Sequence, residues 1–76
     1  MTEKSLEHII KNLAASFEKA RLKKNYSHEK LAKLAGIDRS TVSLILNNKR
    51  TPTILTCLKI SKALNIKLSK LIAELE

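Results

Sequence analysis

The chain has 76 residues and a net charge of +8, with fifteen Lys and Arg against seven Asp and Glu. A chain of this length makes one domain at most and buries only about 60% of the surface its unfolded form exposes, which leaves little room for an enclosed cleft. Seven of the eight net charges fall between Lys19 and Arg50, a concentration that attracts polyanions by releasing their counterions.

The apolar content is mostly Leu, Ile and Ala, with one Val (Val42) and two aromatics, Phe17 and Tyr26. That mix favours helices packed on helices, and no segment alternates long enough to read as a strand. The single cysteine, Cys57, excludes an internal disulfide and reads as a small buried hydrophobe. No apolar run approaches a membrane span. The N-terminal stretch MTEKSLEHIIKNL carries acids and lacks a signal-peptide core, so a cytoplasmic location is expected.

In chain order, Leu6, Ile9, Ile10, Leu13, Phe17 and Ala20 recur at offsets of three and four and predict a helix over 5–23. Lys23-Lys24-Asn25 ends it: cations suit a last turn, and Asn follows Gly as a left-handed stop. Ser27 is placed to cap a second helix, 28–35, with Glu29 in its first turn and Leu31, Ala32, Leu34 and Ala35 as its apolar positions. Gly36, the only glycine, follows directly, where positive φ carries no Cβ penalty. Ile37 turns inward, and Asp38 caps a third helix, 39–47, whose apolar stripe is Val42, Ile45 and Leu46. Asn48 is expected to be left-handed in the loop through Pro52. A fourth helix, 53–64, carries Ile54, Cys57, Leu58, Ile60 and Leu64 at core spacing and is closed by Asn65. A fifth, 67–75, carries Leu68, Leu71, Ile72 and Leu75. The expectation is an all-α, five-helix fold in one domain over 1–76, with a helix-turn-helix over 28–47.

Catalytic chemistry finds no starting pair. Neither His8 nor His28 stands near a Cys or an acid at nucleophile–base or metal-ligand spacing, and there is no glycine-rich phosphate loop. No enzymatic activity, cofactor or metal is expected. The third helix is more informative. With Val42, Ile45 and Leu46 inward, its outward residues are Arg39, Ser40, Ser43, Leu44 and Asn47. A helix fits the DNA major groove, an arginine fork matches guanine O6 and N7, small serines allow close approach, and a leucine suits a thymine methyl.

Two stretches, LAKLAGIDRSTVS and NNKRTPTILTCLKISKALNI, place residues 17–71 in resemblance to the Cro and lambda-repressor family, also called the xenobiotic-response-element family. GIDRSTVS also resembles the controller proteins of restriction–modification systems. The resemblance implies a compact lambda-repressor-like domain and a sequence-specific transcriptional regulator of double-stranded DNA. It implies base contacts from Arg39, Ser40, Thr41, Ser43 and Leu44, and phosphate contacts from Ser27, His28, Asn47, Asn48, Lys49 and Arg50. His28 stands where the family usually has Gln. Leu46 takes the place of a glutamate that often pairs with the arginine at Arg21, which is expected to leave Arg21 free for phosphate. Asn25 and Asn48 stand where glycine is frequent.

One such domain reads half a site, and two-fold dimers set their recognition helices about 34 Å apart. Leu55, Ile66, Leu68, Leu71, Ile72 and Leu75 are the expected homodimer surface, since they exceed what one short helix needs for a core face. Leu6, Ile9 and Ile10 lie before the family's usual first helix and either pack on the fifth helix or join that contact. Two alternatives stand beside the regulator: an antitoxin-type protein that binds a toxin and autoregulates its operon, and a protein-interaction module. RNA polymerase is a further possible protein partner.

Overall fold

The computed structural model describes residues 2–75. Five helices occupy them, α1 Glu3–Lys23, α2 His28–Ala35, α3 Arg39–Leu46, α4 Ile54–Ala63 and α5 Leu68–Leu75. The ends differ by one or two residues from the sequence expectation, because the capping residues mark the limits. Thr2 caps α1 by accepting from the Ser5 N–H, so that helix starts two residues early; Thr53 caps α4 from outside it rather than forming its first turn. Asn47 caps α3 and Leu64 caps α4.

The four inter-helix turns share one device. Asn25, Gly36, Asn48 and Asn65 all take positive φ, between 57° and 71°. The next residue's N–H then donates back across the helix end: Tyr26 to Arg21, Ile37 to Ala32, Lys49 to Leu44 and Ile66 to Ser61, at 2.7–3.2 Å. This is the Schellman stop, which satisfies carbonyls the helix leaves open. Glycine does it once, and asparagine, the next most tolerant residue, does it three times.

The core is built from Leu13 and Phe17 of α1, Leu31 and Ala32 of α2, Val42, Ile45 and Leu46 of α3, Cys57, Ile60 and Leu64 around α4, and Leu68 of α5. Phe17, Leu31, Val42, Ile60 and Leu64 are fully buried. α2 packs on α3 and α4, while α1 packs on α3 and α5. The early part of α1 therefore lengthens the helix, with Ile9 and Ile10 half-buried and Leu6 exposed. Ser61, the buried polar residue, donates to the Cys57 and Leu58 carbonyls within α4.

Three expected core positions face solvent instead. Leu34 is 48% exposed, Leu58 49% and Ile54 67%. On α2 the buried face runs through Leu31, Ala35 and Ala32, and Leu34 lies roughly 110° around from its centre at 100° per residue. On α4 the buried face runs through Cys57, Ile60, Ser61 and Leu64; Ile54 and Leu58 fall on its edge beside Leu55, which is 62% exposed. Leu68, expected at a dimer surface, is buried in the core, and Ile66, Leu71, Ile72 and Leu75 are partly buried against it. Among the described residues no helix is long and apolar enough to cross a membrane.

Candidate nucleic-acid interface

The site begins at the bend. Gly36 (φ 71°, ψ 33°) ends α2, and Asp38 opens α3 by accepting from the Thr41 N–H at 3.0 Å. Val42, Ile45 and Leu46 anchor the inner face of α3. The opposite face is thereby held outward, with Arg39 and Ser40 exposed and Ser43 and Leu44 half-buried. Arg39, Ser40, Ser43 and Leu44 line one open depression on that face; Arg39 also lines a second, with Arg21, Ser27, His28 and Glu29. Arg39 thus stands at the junction of the two short helices, and among the described residues no carboxylate pairs with its guanidinium. Downstream, Asn47, Asn48, Lys49 and Arg50 are all exposed.

The hydroxyls on α3 are not equivalent. Ser40 Oγ and Thr41 Oγ1 both donate to the Asp38 carboxylate, the latter at 2.8 Å. These bonds, first that of Ser40 and then those of Thr41, hold the Asp38 carboxyl down at about 2. Thr41 Oγ1 also accepts from Arg50 at 3.3 Å, so the loop beyond α3 is tied back to its first turn. Thr41 is half-buried and serves the cap and this tie, whereas Ser40 keeps its oxygen lone pairs toward solvent. Ser43 Oγ lies 2.7 Å from His28 Nδ1, a side-chain link between α2 and α3. Ser27 accepts from the Lys30 N–H as the α2 cap.

Arg21 is not free for phosphate. Its guanidinium donates to Glu18 Oε1 and to the Tyr26 carbonyl, and its side chain is 13% exposed. Glu18 therefore fills the place left by the apolar Leu46, from the same helix rather than from α3. The Arg21 hydrogen bond is the chief reason the Glu18 carboxyl lies below its ordinary range.

The structure thus places Arg39, Ser40, Ser43 and Leu44 on one outward face, with Ser27 and His28 adjacent and Asn47, Asn48, Lys49 and Arg50 at its far end. Sequence reasoning missed the connections among them. A serine and a threonine two and three residues after a capping Asp signal the Asp38 cluster locally. The His28–Ser43 link spans fifteen positions and two helices, and no local spacing encodes it.

Two short helices joined by a glycine bend, the second anchored on its inner face and presenting an arginine at its outer head, define a DNA-binding helix-turn-helix regulator. A helix-turn-helix family model of the Cro/C1 type matches residues 17–71, and the chain belongs to that family. No curated protein matches it.

Proposed function

We propose that the protein is a sequence-specific transcriptional regulator that binds a two-fold operator as a homodimer. In this reading α3 lies in the major groove. Arg39 reads guanine by its fork, and Ser40, Ser43 and Leu44 read neighbouring base edges. Thr41 contributes by fixing the helix start. Ser27, His28, Asn47, Asn48, Lys49 and Arg50 hold the sugar–phosphate backbone, which fixes register without reading sequence. The observation that carries the proposal is the exposure of Arg39 at the head of an otherwise anchored helix, shared between both surface depressions. The dimer contact is assigned to the exposed edge of α4, where Ile54 and Leu58 join Leu55. Occupancy of the operator then follows protein concentration through dimerisation.

Selection of bound duplexes from a random pool tests binding, symmetry and half-site spacing together; the expected product is an inverted repeat with centres about 34 Å apart. Against the selected site, Arg39→Ala is expected to relax discrimination at one base pair by about 1–3 kcal/mol. Lys49→Ala is expected to weaken selected and random duplexes alike and to shallow the salt dependence. Identical effects of the two changes on both kinds of DNA would refute the assignment.

A further inference from the structure

His28 Nδ1 and Ser43 Oγ lie 2.7 Å apart, and that distance permits a hydrogen bond of either polarity. The neighbouring hydroxyls have no such choice. Ser40 and Thr41 give their protons to Asp38, so toward a ligand they offer lone pairs alone. Ser43 is bonded instead to a ring that either takes a proton or gives one.

We propose that His28 is a positioning residue for base readout, which sets whether Ser43 presents an acceptor or a donor to the base edge; this rests on the DNA-binding reading above. Since Nδ1 is occupied by Ser43, a phosphate beside His28 meets Nε2 and selects the tautomer with its proton there. In that neutral ring Nδ1 accepts the Ser43 proton, and the Ser43 oxygen turns its lone pairs outward, suited to adenine N6 or cytosine N4. When the ring gains a second proton, Nδ1–H donates to Ser43. The hydroxyl hydrogen is released outward, suited to guanine O6 or N7 or thymine O4. One proton gained at Nδ1 thus reverses the polarity of a hydroxyl on the next helix.

The charged groups around the ring are Glu18 and Arg21 from α1, Glu29 from its own helix and Arg39 from α3. Among these groups the imidazole alone offers a ring nitrogen that either takes or gives a proton. Asp38, at about 2, keeps its grip on Ser40 and Thr41 throughout. The switch is therefore confined to Ser43.

The test has two arms, both on the full chain. In the 15N-labelled protein bound to its selected duplex at pH 8, imidazole nitrogen shifts are expected to place the His28 proton on Nε2; a proton on Nδ1 overturns the proposal, since Ser43 would then face outward as a donor at every pH. In the second arm, duplexes are selected from a random pool at pH 5.5 and pH 8. At one base pair per half-site, preference is expected to move from amino-presenting to acceptor-presenting edges by about 3- to 10-fold, the worth of one net hydrogen bond. His28→Gln and Ser43→Ala each lose a DNA contact and are expected to bind more weakly, and the preference each retains is expected not to move with pH. Both variants keep His8, so a shift that survives in either overturns the proposal. Selection of a defined site by the wild type without a pH-dependent change at that position refutes this inference alone. Failure to enrich any sequence at either pH refutes the DNA-binding reading, and this inference with it.

Discussion

Gly36→Ala isolates the cost of the bend between the two site helices. The backbone there is left-handed, at φ 71° and ψ 33°, and a Cβ built on it meets no atom within 4 Å. The substitution therefore introduces no clash, and its cost is that of a left-handed alanine, about 1–2 kcal/mol. The unfolded chain also loses freedom when glycine goes, which offsets about 0.4–1 kcal/mol. The net expected loss is about 0.5–1.5 kcal/mol, or roughly 4–8 °C in Tm per kcal/mol for a domain of this size. Urea unfolding followed by helical circular dichroism reads it. Gly36→Asn should lose less, because Asn25, Asn48 and Asn65 already adopt the same conformation at φ 57–59°. Duplex affinity, measured where both proteins are fully folded, should be unchanged, since open space lets the backbone angle persist. A loss above about 3 kcal/mol would show that the bend is crowded, and no loss would show that the left-handed angle is not required.

Other changes probe the core, the cap and the exposed edge. Phe17→Ala removes a fully buried ring shared by the core and should cost about 3–5 kcal/mol, much of the stability of a chain this short, again by urea titration. Asp38 has a folded pKa of about 2, depressed from an unfolded value near 4. Its contribution is thus present above about pH 4 and lost as pH falls through about 2. The stability gap between wild type and Asp38→Asn should be constant from pH 7 to 5 and close toward pH 2; a gap that persists at pH 2 would contradict the hydrogen-bond origin of the shift. Leu55→Glu and Leu58→Glu act on exposed positions, so monomer stability should move by less than about 0.5 kcal/mol. Sedimentation should show each variant monomeric at concentrations where the wild type is dimeric; unchanged sedimentation would remove α4 from the contact.

Much of this molecule is written locally. Ser27 and Asp38 announce helix starts, and Asn25, Gly36, Asn48 and Asn65 announce stops, because caps depend on residues three to five positions apart. The outward face of α3 follows from periodicity once Val42, Ile45 and Leu46 are assigned inward. Periodicity failed where an apolar residue sat at the margin of a stripe. Leu34, Ile54 and Leu58 fit the three-and-four spacing but lie beyond the arc that neighbouring helices cover, and only the packing angle decides that. Arg21 was misread for a similar reason: losing the expected glutamate at Leu46 left open which acid replaces it, and Glu18 one turn earlier does. The His28–Ser43 contact was beyond reach, being created by how α2 and α3 cross.

Because asparagine performs three of the four helix stops, each corner of the chain is specified by a six-residue stretch and needs no distant partner to choose its path. Helical chains assembled from such near-neighbour instructions fold on the microsecond-to-millisecond scale. Folding of these five helices therefore adds little delay between their synthesis and the native domain, and the slower step left is the meeting of two copies.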